Sequence, residues 1–248
     1  PANGFVNTEG VYVSPSENPE NVDVMIDPKS DRLQKLEPFS SWDGNDFTKL
    51  NLILKAKGKC TTDHISPAGP WLRLRGHLDN LSDNLLLGAV NAFNDEVGKA
   101  KSVLSNNIES CSDIARSYKE KNMRWVIVGD NNYGEGSSRE HAAMTPRFLG
   151  CAVVIAKSFA RIHETNLKKQ GILALTFENS NDYDKINEDD KISISGLTDF
   201  KPDTSFECEL QHSDGNSEKI ILNHSYNSSQ IEWFTAGSAL NVLKNKTS

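Results

Sequence analysis

The sequence predicts an α/β fold: a parallel central sheet, additional antiparallel strands and an extended N-terminal arm. Three observations carry this. From Trp125 onward, short apolar runs alternate with helical stretches in the order β–loop–α–β–α–β, which implies parallel strands joined by right-handed crossovers. Cys151–Ala156, CAVVIA, is continuously apolar, as a strand buried on both faces is. Past Asp182 the pattern changes to short alternating strands, with Asp214-Gly215-Asn216 as a hairpin signal.

The 248 residues suffice for one large domain with an extension. Net charge is −7, and this acidic balance argues against a general nucleic-acid surface, which needs clustered cations. No run is apolar enough to span a membrane as a helix. The four cysteines, Cys60, Cys111, Cys151 and Cys208, are widely spread without a C-x-x-C pair. They therefore read as reduced, partly buried thiols of an intracellular protein, and no zinc or iron–sulfur ligand set is evident.

In chain order, residues 1–30 hold four of the nine prolines and show no sustained periodicity, so they read as a linker or arm. Ser30–Leu36 is expected to add a short helical turn before Pro38, and Trp42-Asp43-Gly44 marks a turn. Leu50–Ala56 is strand-like. Lys57–Pro70 is a polar loop. Trp71–Arg75 alternates and reads as extended, with Arg73 and Arg75 on one face. Asp63 is then a natural carboxylate partner for Arg75. Ala89–Asn94 reads as part of a helix. Lys99–Ser117 reads as a surface loop, with a helix near Ser112–Lys121. Ser158–Lys169 has helical spacing and stops at Gly171, and Ile172–Phe177 is another strand. Lys191–Leu197, Ser205–His212 and Glu218–Asn223 form the antiparallel part. Ser228–Lys244 reads as one closing helix, with Trp233, Ala236, Leu240 and Leu243 on its inner face.

The stretch Trp125–Arg147, WVIVGDNNYGEGSSREHAAMTPR, carries the chemistry. An apolar strand runs into a loop through Gly129, Asn131, Asn132, Gly134 and Gly136, and Ala142–Met144 then favours helix. Strand, glycine loop and helix amino terminus together favour an anion, and Arg139 adds a planar fork for a carboxylate or phosphate. Glu135 stands where a P-loop needs Lys, and the third glycine of a dinucleotide fingerprint is missing. Ser137-x-x-Glu140 also fits a capping box, so a plain well-capped helix is the competing local reading. A helix start at Ser138 or Arg139 leaves Ser137 exposed and free to react. In open sheets of this kind ligands sit at the carboxyl ends of strands, where this loop falls.

Four collinear segments resemble one family. KGKCTTDHISPAGPWLRLRGHLDN (Lys57–Asn80) and GDNNYGEGSSREHAAMTPRFLG (Gly129–Gly150) are similar to the C-terminal domain of aconitase in its mitochondrial form. SFARIHETNLKKQG (Ser158–Gly171) and QIEWFTAGSALN (Gln230–Asn241) extend the match. The resemblance implies a three-layer β/β/α swivel domain over 31–248 behind a 1–30 arm. It implies a hydro-lyase of the tricarboxylic acid cycle, in the mitochondrial matrix, that isomerises citrate and isocitrate through cis-aconitate. It implies a [4Fe–4S] cluster held by cysteines of preceding domains, with no metal ligand in this chain. The chain alone is then expected to be inactive and to work with those domains in cis.

The same resemblance makes Ser137 the catalytic base, and Ser138, Arg139 and Arg75 substrate-binding residues, with Asp63 supporting Arg75. It assigns no chemistry to His64, His77, His141 or His163, which read as satisfied polar histidines. Arg73 reads as a solvated cation, Cys60 as a quiet thiol, and Trp233 and Phe234 as core. Two other functions compete. One is a related dehydratase, homoaconitase or an isopropylmalate isomerase small subunit. The other is a non-enzymatic module whose arm or clamp docks a partner protein.

Overall fold

In a computed structural model of the chain, residues 2–4, 10, 12–18 and 21–247 are described; the arm expectation at residues 1, 5–9, 11, 19 and 20 lies outside them. Strand β1 (Phe47–Lys55) is followed by two single-turn helices, α1 (Thr62–Ile65) and α2 (Leu78–Leu81). The hairpin β2 (Lys99–Lys101)–β3 (Ile108–Ser110) leads into α3 (Cys111–Glu120). Then come β4 (Trp125–Gly129), α4 (His141–Phe148), β5 (Cys151–Ala156), α5 (Arg161–Lys169) and β6 (Leu173–Phe177). The chain ends with β7 (Lys191–Ser195), β8 (Ser205–Gln211), β9 (Ser217–Asn223), α6 (Ser228–Ala236) and α7 (Ala239–Thr247).

Seven strands close into one barrel in the order β1-β4-β5-β6-β9-β8-β7. The β1-β4-β5-β6 half is parallel, and the pairs β6·β9, β9·β8, β8·β7 and β7·β1 are antiparallel. Every residue of β4 and β5 is buried, as their unbroken apolar runs require. In β8 burial alternates: Phe206, Cys208 and Leu210 point inward and pair with Leu222, Ile220 and Glu218 of β9. Helices α3, α4 and α5 pack on β1, β5 and β6, so the layers run antiparallel half, parallel half, helices.

The α/β reading, with parallel and antiparallel strands, holds, and closure through β7·β1 is the feature the linear pattern did not carry. Several local readings are corrected. Trp71–Arg75 is not extended: Gly69–Leu74 is a 3-10 helix with Pro70 at its start, and Arg75 N–H donates to Leu72 O at 3.3 Å. Ser30–Leu36 forms no helical turn. Leu33 instead bridges to Gly76, and Gln34 N–H donates to Gly76 O at 2.8 Å. Ala89–Asn94 is a turn between the bridges Ala56–Asn91 and Val90–Val97 rather than helix. The Lys99–Ser117 loop contains the β2–β3 hairpin and the first turns of α3.

The expected closing helix is two helices. Gly237 breaks it at φ +88°, and a Cβ there would stand 2.3 Å from Ser40 O. The 39–42 segment passes through that break: Asn241 Nδ2 donates to Phe39 O at 2.8 Å and Arg147 Nη2 to Ser40 O at 2.8 Å. Phe234 is core, whereas Leu240 and Leu243, expected on the inner face, are 72% and 61% exposed.

Candidate functional site

The loops after β1, β4 and β5 converge at the carboxyl ends of the parallel strands. Gly58 N–H donates to Asp130 Oδ2 at 3.1 Å, and Lys157 Nζ lies 2.9 Å from Asp130 Oδ1, so one carboxylate ties all three loops together. The Gly129–Glu140 connection is pinned from both sides. Gly134 N–H donates to Cys60 O at 2.8 Å, Thr62 N–H to Glu135 O at 2.9 Å, and Thr62 Oγ1 to Ser137 O at 2.9 Å. On the other side Tyr133 N–H donates to Ser158 O at 2.9 Å and Ala160 N–H to Tyr133 O at 3.0 Å.

Gly134 is required where it stands. Its φ is +81°, and a Cβ would fall 2.1 Å from the His163 ring. His163 itself is 2% exposed, and neither ring nitrogen has a hydrogen-bond partner among the described residues. Burial pushes its pKa down to about 4, so the ring is neutral at ordinary pH. Tyr133 packs against it at 5.5 Å between ring centroids, and the Tyr133 hydroxyl is likewise buried and unpartnered. His163 is therefore not the satisfied histidine expected from sequence.

Ser137 and Ser138 are exposed, and the Ser137 hydroxyl makes no hydrogen bond among the described residues. The capping box does not form. Helix α4 begins at His141 with Glu140 as its N-cap and no side-chain cap, and Glu140 Oε1 instead accepts from Gln170 Nε2 at 2.9 Å. The start lies two to three residues later than expected, with the same consequence: Ser137 is uncommitted.

Arg139 is half-buried and its Nη1 donates to the Asp63 carboxylate. That bond, with Ala68 N–H at 3.0 Å, holds the Asp63 carboxyl below its ordinary value. Asp63 thus pairs with Arg139 and not with Arg75, because the 3-10 turn carries Arg75 away from it. A cleft of about 270 Å³ gathers Thr62, Ser137, Ser138, Arg139, Arg161 and His163. Arg75 lines a separate cleft of about 400 Å³ with Arg32, Leu33 and Arg73, and the two clefts share no lining residue. Its backbone reaches toward α4: Arg75 O lies 3.1 Å from His141 Nε2.

Sequence reasoning missed Arg161 and the unpartnered state of His163. The β–loop–α–β–α order was the available signal for Arg161, because it brings the amino end of α5 to the same sheet end as the glycine loop.

Around the exposed Ser137, at the carboxyl ends of the parallel strands, this acidic chain gathers the guanidinium groups of Arg139 and Arg161 in one cleft. The chain belongs to the aconitase C-terminal domain family, whose sequence profile matches residues 50–180. It is 54% identical over 244 residues to a mitochondrial aconitate hydratase of Gracilaria gracilis, covering 98% of this chain and 31% of that protein. Against the mitochondrial aconitate hydratase of Saccharomyces cerevisiae the identity is 50%, with 98% and 31% covered. The chain therefore spans about a third of the length of the curated relatives it matches. Among solved structures, a 3-isopropylmalate dehydratase from Methanocaldococcus jannaschii shares the fold, with a TM-score of 0.53 at 23% identity. That likeness covers 82% of this chain and 96% of the other.

Proposed function

We propose that this chain is the substrate-closing C-terminal domain of an aconitate hydratase, a hydro-lyase interconverting citrate and isocitrate through cis-aconitate in the tricarboxylic acid cycle of the mitochondrial matrix. The observation that carries it is the uncommitted, exposed Ser137 hydroxyl beside Arg139 in one cleft. Ser137 is the base that removes the substrate proton. A serine hydroxyl is a poor base in water, and the adjacent guanidinium favours its ionised form. Ser138 and Arg139 bind substrate, Asp63 orients Arg139, and Arg75 adds a cation from the separate cleft.

The relatives' activity brings with it a [4Fe–4S] cluster, which would supply Lewis-acid chemistry at the substrate hydroxyl. The residues of this chain do not fit it. No group of three or more His, Cys, Asp or Glu could hold a metal among the described residues. All four cysteines are buried, and burial pushes the Cys60, Cys111 and Cys208 thiols up to about 12, away from the thiolate a cluster needs. In this proposal the cluster is held by domains that precede this one in the full-length protein.

The reading of residues 1–30 as an arm toward those domains belongs to the same proposal; among its described residues Val22, Val24 and Met25 are exposed. Fusing the chain behind the other three aconitase domains tests the proposal. Citrate–isocitrate turnover is expected from the fusion and none from the chain alone. A fusion that loads its cluster yet stays inactive refutes it.

A further inference from the structure

The Ser137 cleft has a second wall that the clamp residues do not account for. Helix α5 starts there at Arg161, behind Ala160, which offers no side-chain cap. Residues 160–163 line the cleft, and the first amides of the helix have no side-chain cap among the described residues. Arg161 is exposed, and its guanidinium meets no carboxylate among the described residues. Glu164, the acid of the first turn, is already engaged by Lys168 at 3.0 Å and by the Ser225 hydroxyl. The buried, unpartnered His163 lines the same cleft from the same turn of helix. The same cleft is lined by Ser137, Ser138 and Arg139 from the loop before α4.

We propose that the uncapped amino end of α5, with the Arg161 guanidinium, is a second carboxylate subsite of the Ser137 cleft, which makes the cleft selective for a di- or tricarboxylate held at both ends. This rests on the reading of the cleft as the substrate site. Arg139 already shares its charge with Asp63, whereas Arg161 meets no acid among the described residues and sits where a helix dipole adds to it. A monocarboxylate meets one wall only. A polycarboxylate meets both, and loss of Arg161 removes one charge-assisted contact and leaves the other.

The test is an amide NMR titration of the isotope-labelled chain with tricarballylate and, separately, with acetate. Tricarballylate is expected to shift amides of both 136–139 and 161–163. In Arg161→Gln the 161–163 response should vanish and the affinity fall about tenfold or more, with Arg161→Lys recovering part of it. Acetate, held by one wall at a time, should bind the wild-type chain more weakly than tricarballylate does, and Arg161→Gln should abolish only its 161–163 response. Tricarballylate shifts confined to 136–139 in the wild-type chain, or equal affinity in Arg161→Gln, overturn the subsite alone. Response in neither region overturns the subsite and the substrate-site reading together.

Discussion

His163 makes the stability of this domain depend on pH in a way that can be worked out in advance. Its pKa falls from an ordinary 6.5 to about 4, because burial under Gly134 and against Tyr133 opposes the charged ring. A depressed folded value means that the fold prefers the neutral form. The contribution is complete above the unfolded value and is lost as pH falls toward the folded one. The full span corresponds to about 3 kcal/mol, of which about 2 kcal/mol disappears between pH 7 and pH 5. His224 is also pulled down by burial and acts in the same direction, while His212 is raised by its hydrogen bond to Asp190 and acts oppositely. Comparison with His163→Phe and His163→Leu isolates the His163 contribution, since neither replacement titrates and His212 and His224 are common to all three proteins. Urea unfolding at the two pH values is the assay. The wild-type chain should lose about 2 kcal/mol more than either variant on going to pH 5. Parallel losses in all three proteins would show that His163 does not carry the pH dependence.

Gly134→Ala should lower stability by at least about 2 kcal/mol, since it combines a left-handed φ with a collision against His163; an unmoved urea midpoint contradicts this. Trp125→Phe removes a buried donation from Nε1 to Leu149 O at 2.8 Å and should cost about 1–3 kcal/mol by the same measurement, against none if that carbonyl finds another donor. Arg139→Gln should let the Asp63 carboxyl titrate at higher pH than in the wild-type chain, read from its side-chain carbon shift; an unmoved titration contradicts the pairing. The same substitution should leave global stability within about 0.5 kcal/mol, because the Asp63 side chain is 60% exposed.

The parallel half of the barrel was legible because buried strands write their burial directly into the sequence: β4 and β5 are unbroken apolar runs. The antiparallel half was legible from alternation and the Asp214–Asn216 turn. Barrel closure was not, since β7·β1 joins residues remote in sequence, and no local pattern marks that register. The break at Gly237 escaped for the same reason: its cause is the 39–42 segment, nearly two hundred residues away in the chain. At the site, the glycine loop announced itself, but which carboxylate meets which guanidinium was a matter of turn geometry. The alternation of Trp71–Arg75 suggested an extended segment and an Asp63–Arg75 pair; Pro70 starts a 3-10 turn there, and Asp63 meets Arg139 instead. The helix start, expected at Ser138 or Arg139, falls at His141, and Glu140 is held by Gln170 rather than by Ser137.

The role of the Ser137 hydroxyl is read from steady-state turnover of Ser137→Ala in a protein that carries this chain behind the cluster-bearing aconitase domains. The hydroxyl is exposed and bonded to nothing among the described residues, so its removal should leave the fold and substrate affinity nearly unchanged. If Ser137 is the base, kcat should fall by about a thousandfold or more, with KM altered only a few-fold. A kcat within about threefold of the parent would contradict the account, whatever the other residues of the cleft do.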